Sequence, residues 1–331
     1  MKILFMSHQT ETNDYKVGTG HKLNIIFKAR GHDVRFMLKK KWHVAFWWPY
    51  YCFAFIIEYI KFRPDVILTY QQISMLPAFL KKIGFVKRAK VIHYWWDYYT
   101  EVVGRKWNPA ISSYLEYYAV KNSDSIITNS RYLESIANNI GIKVLGFIPP
   151  GVESFFGKDK WKDLCPGDNA IKIIYSGEQS EYKGVDKLIR AVEDLKCDLI
   201  LIGKANEEMQ NIAGNNVYFL GEMHQIELCS YLARADIAVI TSDQDSCLKM
   251  WEYIKMNKCI LARKGRIGYI LTHGQDAWLV DDFREGIIYL MKNPNIRQVL
   301  EKGTEKFKVD NWDENADKHL ELIEREVNKN G

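Results

Sequence analysis

The segment TSDQDSCLKMWEYIKMNKCIL, Thr241 to Leu261, places a hydroxyl (Ser246), an amine (Lys249) and a lone carboxylate (Glu252) around one predicted helix start. Ile237 to Thr241 is an apolar, β-branched run of strand length, and apolar residues at Leu248, Trp251 and Ile254 give Leu248 to Lys258 a helical period. A loop from Ser242 to Cys247 therefore leads a strand into a helix. In an open α/β sheet such a loop lies at the carboxyl end of a strand, where ligands bind, and the helix's free N–H groups favour phosphate. Ser246 and Lys249 add a hydroxyl and a positive charge, and Glu252, one turn further in, can accept hydrogen bonds from a sugar's vicinal hydroxyls. A solvated Lys249–Glu252 helix pair is the competing reading of this spacing.

The elements that position these residues alternate along the whole chain. Predicted strands at Ile3 to Ser7, Val34 to Leu38, Val66 to Tyr70, Val91 to Tyr94 and Ser125 to Asn129 are interleaved with helices over Gly20 to Arg30, Tyr50 to Phe62 and Tyr132 to Ile140. Pro149-Pro150-Gly151 then breaks regular structure. The alternation restarts with Ile171 to Ser176, a helix over Val185 to Leu195, Leu199 to Ile202, Val217 to Leu220 and a helix over Gln225 to Ala233. This is the pattern of parallel, doubly wound sheets, so two Rossmann-like α/β domains with a cleft between them are expected. The expected boundaries are 1–150 for an acceptor-side domain, 151–308 for a nucleotide-sugar domain, and 309–331 for a C-terminal helix packing back on the first domain.

The 331 residues suit two domains, and 47% hydrophobic with 26% charged residues is globular composition. Six cysteines without a C-x-x-C pair or histidines at metal spacing argue against structural zinc and for a reducing compartment. The start MKILFMSHQT reads as a strand rather than a signal peptide, so a cytoplasmic protein is expected. Charge is divided unevenly: residues 1–150 carry a net +11 and residues 151–331 a net −6. A basic half of this kind fits an anionic partner, membrane or nucleic acid.

Neither half has G-x-G-x-x-G directly after its first strand, nor a P-loop, which disfavours nicotinamide dehydrogenases and P-loop enzymes. The first half has Gly18-Thr19-Gly20 before a helix, a pattern that a simple turn also explains. In the second half Gly177 ends a strand and Lys183-Gly184 precedes a helix, a second backbone-plus-lysine arrangement suited to a diphosphate.

Together these stretches resemble the retaining nucleotide-sugar glycosyltransferases of the GT-B fold, family GT4. The likeness runs from Met1 to about Val280, through MKIL, the glycine loop, ARGHDV, RPDVIL, SDSIITNSRY and IPPGVE, then YSGEQSEYKGVDKLIRAV, NVYFLGEM, YLARADIAVITS, SCLKMWEY and DAWLV. It implies that Lys183 neutralises the donor diphosphate, Glu252 holds the nucleotide ribose, and the amides of Cys247, Leu248 and Lys249 bind phosphate oxygens with Ser246 beside them. It further implies that Gly18, Gly20 and Gly177 allow close backbone approach, and that residues around Gly221 to Met223 meet the base. The chain departs from the family at three positions. The first acid of the family's E-x7-E pair falls on Gln244, with Asp243 and Asp245 beside it; the arginine after the second domain's glycine is Glu178; and Asn257 replaces a glycine.

The implied activity is transfer of a sugar from a UDP- or GDP-sugar with retention of configuration and without a required metal or other cofactor. Asp243-Gln244-Asp245 spells D-x-D, a metal–sugar motif of the single-domain GT-A transferases, but here it sits in the second half of a two-domain pattern. Any protein base would come from His93 or Asp97 in HYWWDYYTE, each of which also has a structural reading as a packing histidine or a buried, hydrogen-bonded aspartate. The acceptor is suggested by WHVAFWWPYYCFAFIIEYIKF, Trp42 to Phe62. Its 14 uncharged residues from Val44 to Ile57 are too few to span a bilayer but fit an interfacial or a buried crossover helix. Lys39, Lys40, Lys41, Lys61 and Arg63 flank it, with Trp47, Trp48, Tyr50 and Tyr51 within, and LKKIGFVKRAK adds Lys81, Lys82, Lys87, Arg88 and Lys90. A peripheral membrane enzyme acting on a lipid-linked or cell-surface glycan precursor is thus expected. A soluble acceptor, or a non-catalytic nucleotide-sugar-binding or scaffold protein, remains the alternative. No RNA-binding signature accompanies the basic and aromatic residues, so no nucleic-acid partner is expected.

Overall fold

A computed structural model describes residues 1–6, 19–37, 44–70, 75–96, 109–157 and 161–329. The chain divides into two units, one of Met1–Pro150 with Trp312–Gly331 and one of Gly151–Asn311.

The first unit is built on β1 (Lys2–Met6), β2 (Asp33–Met37), β3 (Val66–Tyr70), β4 (Lys90–Trp95), β5 (Ser125–Thr128) and β6 (Val144–Phe147). All pairings are parallel, in the order β2-β1-β3-β4-β5-β6. Its helices are α1 (Thr19–Ala29), α2 (Val44–Phe62), α3 (Met75–Lys82), α4 (Pro109–Lys121) and α5 (Arg131–Asn139), with the C-terminal helix Trp312–Asn328. Every residue of β3 is buried, as expected where helices cover both faces of a parallel sheet. Side chains alternate across the strands: Ile3, Phe5, Leu68 and Ile92 meet α1 and the C-terminal helix through Leu23, Phe27, Ala316 and Ile323. Leu4, Met6, Ile67 and Val91 meet Tyr51 and Phe55 of α2 and Leu80 of α3 on the other face. Further along that face Trp95 and Ile126 pack against Val120 of α4 and Leu133 of α5.

The second unit contains β7 (Ile171–Ser176), α6 (Val185–Ala191), β8 (Cys197–Ile202), α7 (Glu207–Asn211), β9 (Val217–Gly221), α8 (Gln225–Arg234), β10 (Ile237–Ile240), α9 (Leu248–Lys255), β11 (Ile260–Arg263), β12 (Trp278–Val280), α10 (Phe283–Lys292) and α11 (Pro294–Thr304). The chain then enters α12, the C-terminal helix Trp312–Asn328 of the first unit. Strand order is β12-β11-β10-β7-β8-β9, all parallel. Counted from β7 this is 6-5-4-1-2-3, the doubly wound order whose direction reverses between its first and fourth strands. The expected pair of Rossmann-like α/β units is therefore present.

Several boundaries differ from expectation for physical reasons. The helix after Val185 stops at Ala191 rather than Leu195, and Asp194 in the turn that follows has φ 59°. The helix after Leu248 stops at Lys255, with Asn257 at φ 50°, a left-handed turn that asparagine tolerates and that serves where a glycine would otherwise stand. α4 and β6 fall in stretches to which the sequence pattern assigns no element.

The buried end of β7 is tied down by Lys172, whose ammonium pairs with Asp198 Oδ2 at 2.6 Å and donates to the carbonyls of Pro166 (3.0 Å) and Gly167 (2.7 Å). Both charges are nearly sealed from water, so removing one strands the other. Lys172→Met should lower the unfolding free energy of the second unit by about 3–5 kcal/mol in urea denaturation. A loss below about 1 kcal/mol would show that the pair is peripheral to the fold.

Candidate active site

The second unit's candidate residues gather where β7 and β10 lie side by side, at the carboxyl ends of the strands. β7 ends in Tyr175-Ser176-Gly177, and Gly177 has φ 132° with its N–H donating to Ile202 O at 2.8 Å. A Cβ at Gly177 would stand 2.9 Å from the Lys249 ammonium, so the absence of a side chain lets that amine reach the strand end. Gly203, at the end of β8, has φ 133°, and a Cβ there would fall 2.0 Å from Gly177 O. The two glycines therefore bring the first two loops into contact.

Lys249 comes from the first turn of α9. Its Nζ lies 3.8 Å from the centroid of the Tyr175 ring. Burial is the main cause that pushes its pKa down to about 8; Cys247 pulls the other way, the nearby charge of Lys183 adds to the lowering, and Glu252 opposes it least. Lys183 arrives from the opposite loop, in the short turn Glu181–Lys183 that Gly184 ends in a left-handed conformation (φ 72°) beside Thr241. Among the described residues, neither lysine has a carboxylate within ion-pair distance. Glu178, at the place of the family's arginine, is exposed and contributes only its carbonyl, which accepts from Tyr175 Oη at 2.9 Å.

At the start of α9 the N-cap residue Cys247 makes no side-chain capping bond. Desolvation raises the pKa of its thiol; Cys247 and Leu248 are half-buried and Ser246 is nearly fully buried. Glu252 is buried, and its Oε1 accepts from Gln225 Nε2 at 3.0 Å. The solvated Lys249–Glu252 pair is thereby excluded. Gln225 opens α8, immediately after the loop from Gly221 through Met223, so that loop stands beside Glu252. Tyr253, the next residue, anchors α9 to β7: its Oη accepts from Ser176 N at 2.9 Å and lies 3.0 Å from Ser176 Oγ.

The D-x-D acids are otherwise engaged. Asp243 Oδ1 accepts from Arg266 Nη2 at 3.3 Å, and Asp243 O accepts from Ile267 N at 2.7 Å. Asp245 is buried with Ser246, and Gln244 between them is half-buried. The loop is thus a rigid brace against the turn at Gly265 to Tyr269.

The first unit's candidates fare differently. Gly20 is buried within the first turn of α1, while Gly18 and Asp97 lie outside the described residues. His93 points into the sheet interior, with Nδ1 3.4 Å from Thr69 Oγ1, and burial pushes its pKa down to about 3. A fully buried imidazole facing a neighbouring strand is a core residue, which corrects its candidacy as a base. Gly203, Tyr253, Gln225 and Arg266 were not anticipated. Only Gly203, next to a strand of apolar residues, left a signal in the sequence.

Two parallel, doubly wound units in this order are the GT-B fold. Residues 170–293, nearly the whole of the second unit's sheet, match the model of the family described as Glycosyl transferases group 1. Two uncharacterized glycosyltransferases of Methanocaldococcus jannaschii are each 26% identical to the chain, over 63% and 59% of its length. The chain spans about 60% of the length of these curated relatives. Sucrose-phosphate synthase from Thermosynechococcus elongatus has the same fold at TM-score 0.77 and 16% identity, covering 98% of each chain. Anabaena HepE, solved in complex with UDP, aligns at TM-score 0.73 and 15% identity over 98% of this chain and 100% of that one.

The lowered pKa of Lys249 has a definite sign. Folded at about 8 against an ordinary 10.5, this group makes the unfolded state the stronger proton binder, so the ligand-free protein should gain stability as pH rises from about 8 to 10.5. Affinity for pyrophosphate should fall over the same rise. Lys249→Met should raise the Tm at pH 7 while weakening pyrophosphate binding roughly ten- to a hundredfold by calorimetry. A variant that loses stability and keeps its affinity would place the ammonium outside the anion site.

Proposed function

We propose that the chain is a retaining glycosyltransferase that moves a sugar from a UDP- or GDP-sugar to a lipid-linked or cell-surface glycan precursor, without a required metal. The observation that carries this reading is the meeting of Lys183, Lys249 and the uncapped start of α9 at one strand end, with buried Glu252 a turn further in. Two cations and a helix start suit a diphosphate, and a buried carboxylate one turn further in suits a ribose diol. The complexes of Anabaena HepE with UDP and with UDP-glucose favour a nucleotide sugar as the donor.

In the proposed reaction the bond between the anomeric carbon and the diphosphate oxygen breaks as the acceptor oxygen bonds to the same carbon on the same face. The acceptor's proton passes to the departing phosphate, so no protein base is needed and a buried His93 is no obstacle. Negative charge grows on the leaving diphosphate, where Lys183, Lys249 and the α9 amides are already in place to stabilise it. Lys249 carries the share that Glu178 does not. Asp243 is held by Arg266, which supports the metal-free reading. A cytoplasmic protein working at the inner face of a membrane would meet both its donor and its acceptor. The competing reading, a non-catalytic nucleotide-sugar binder, draws on Gln244, a neutral residue at the family's first acid.

Slow hydrolysis of UDP- and GDP-sugars in the absence of acceptor separates these readings. We expect turnover of one donor class, insensitive to chelators, with Lys183→Ala and Glu252→Ala each lowering kcat/KM by about 10²-fold or more. Tight binding of every donor without hydrolysis or transfer would favour the binder, and hydrolysis unchanged in Glu252→Ala would move the site elsewhere.

A further inference from the structure

The two faces of the first unit differ in a way that its core does not require. On the face covered by α2, α3 and α4, large apolar side chains point outward. Phe53 of α2 is 65% exposed, Tyr114 of α4 is 64% exposed, and Ile60, Phe79, Ile83 and Ile111 are all at least 47% exposed. On the opposite face, covered by α1 and α12, Ile25 is the one large apolar residue so exposed among the described residues. α2 is therefore both a crossover helix, through Tyr51, Phe55 and Phe62, and an apolar surface, through Phe53 and Ile60. The three helices are continuous: Tyr59 of α2 packs its ring 5.7 Å from Phe85 just beyond α3, and Lys82 of α3 lies 5.3 Å from the Tyr118 ring of α4.

Charge follows the same division. Lys61, Lys82, Lys87, Arg88 and Lys121 are exposed on the apolar face and make no ion pair among the described residues. The acids of that face are consumed internally: Glu58 by Arg35, Asp124 by Lys81, and Glu116 by the Trp95 indole at 2.7 Å. On the α1 and α12 face the exposed acids Asp313 and Asp317 pair with Arg30, and Glu324 lies against His32. Between α4 and α5 the apolar face also opens a hollow of about 380 Å³ lined by Tyr114, Tyr117, Ile136 and Ile140. Among the described residues no helix is long and apolar enough to cross a membrane.

We propose that the α2–α3–α4 face of the first unit docks on an anionic phospholipid bilayer, its aromatic and aliphatic side chains entering the headgroup boundary while its unpaired lysines and arginine meet lipid phosphates. Cations that make no ion pair among the described residues, set around exposed apolar residues, fit a surface that is negatively charged outside and apolar beneath, which a second copy of the same basic face would not offer. Tyrosines at the rim suit the headgroup level, and the hollow between α4 and α5 accepts part of an acyl chain. The proposal deepens the reading of a membrane-borne acceptor by assigning the face that holds the protein there.

Co-sedimentation of the full chain with vesicles of phosphatidylcholine containing phosphatidylglycerol tests it, against neutral vesicles and at two salt concentrations. We expect binding that needs the anionic lipid and weakens with salt. Phe53→Ser with Ile83→Ser and Tyr114→Ser, all on the surface, should cut binding about tenfold or more, as should Lys82→Glu with Lys121→Glu, whereas Ile25→Ser should change nothing. Thermal unfolding verifies that each variant is folded. No binding to anionic vesicles, equal loss in Ile25→Ser, or a concentration-dependent dimer abolished by the apolar variant would overturn the proposal. Donor hydrolysis by the same variants keeps the two readings apart: lost docking with intact hydrolysis concerns this face alone, and absent hydrolysis with intact docking concerns the transferase reading alone.

Discussion

Two amines are brought together at the end of β7 without a carboxylate among the described residues to neutralise them, and much of the second unit is arranged to keep them there. Burial and the neighbouring Lys183 both disfavour the charged form of Lys249, and the stacked face of Tyr175 offsets only part of that cost. A protein selected for stability alone would have filled this position with an apolar residue. The arrangement makes sense as a site completed by an anion, because a diphosphate converts the mutual repulsion of the lysines into attraction for a third party.

Each neighbouring contact serves that geometry. Gly177 and Gly203 let two loops touch and leave room for the Lys249 ammonium. Tyr253 fastens α9 to the last residue of β7, so the helix that carries Lys249 and Glu252 cannot drift from the strand that carries Tyr175. Gln225 holds Glu252 on one oxygen, and Asp243 with Arg266 stiffens the loop that feeds α9. Because these braces come from the segments that follow five different strands, β7 through β11, the site is positioned by the sheet order rather than by any one segment.

That distribution explains what the sequence could reveal. β3 and β7 were legible to the residue, since VILTY and IKIIYS are uninterrupted strand-length runs. Lys183, Lys249 and Glu252 stand out in the sequence because each lies at or near a loop–helix junction with its own local signature. Tyr253, Gln225 and Arg266 were not, because their roles depend on partners 77, 27 and 23 residues away. His93 misled for a related reason: a polar residue in a strand reads the same whether it faces solvent or Thr69. α4 was hidden by its aromatic residues, which fit strand as readily as helix in isolation and acquire their meaning only as an outward face.

The Lys249 substitution also bears on the departures at Glu178 and Gln244. Had the glycine loop simply lost its cation, the diphosphate would be held by Lys183 and helix amides alone. The amine supplied from α9 reaches the same strand end by a different route, which is what would be expected if the chain had kept a need for two positive charges there while changing which residue meets it. Retaining a half-buried amine whose charged form is disfavoured is hard to account for in a pure scaffold, where nothing would oppose its replacement. Gln244 requires no such compensation, because its neighbours are tied to Arg266 and the interior of the loop, and Glu252 is held by Gln225 independently of it. In the proposed reaction the physical weight of the site therefore falls on the leaving group rather than on a second carboxylate.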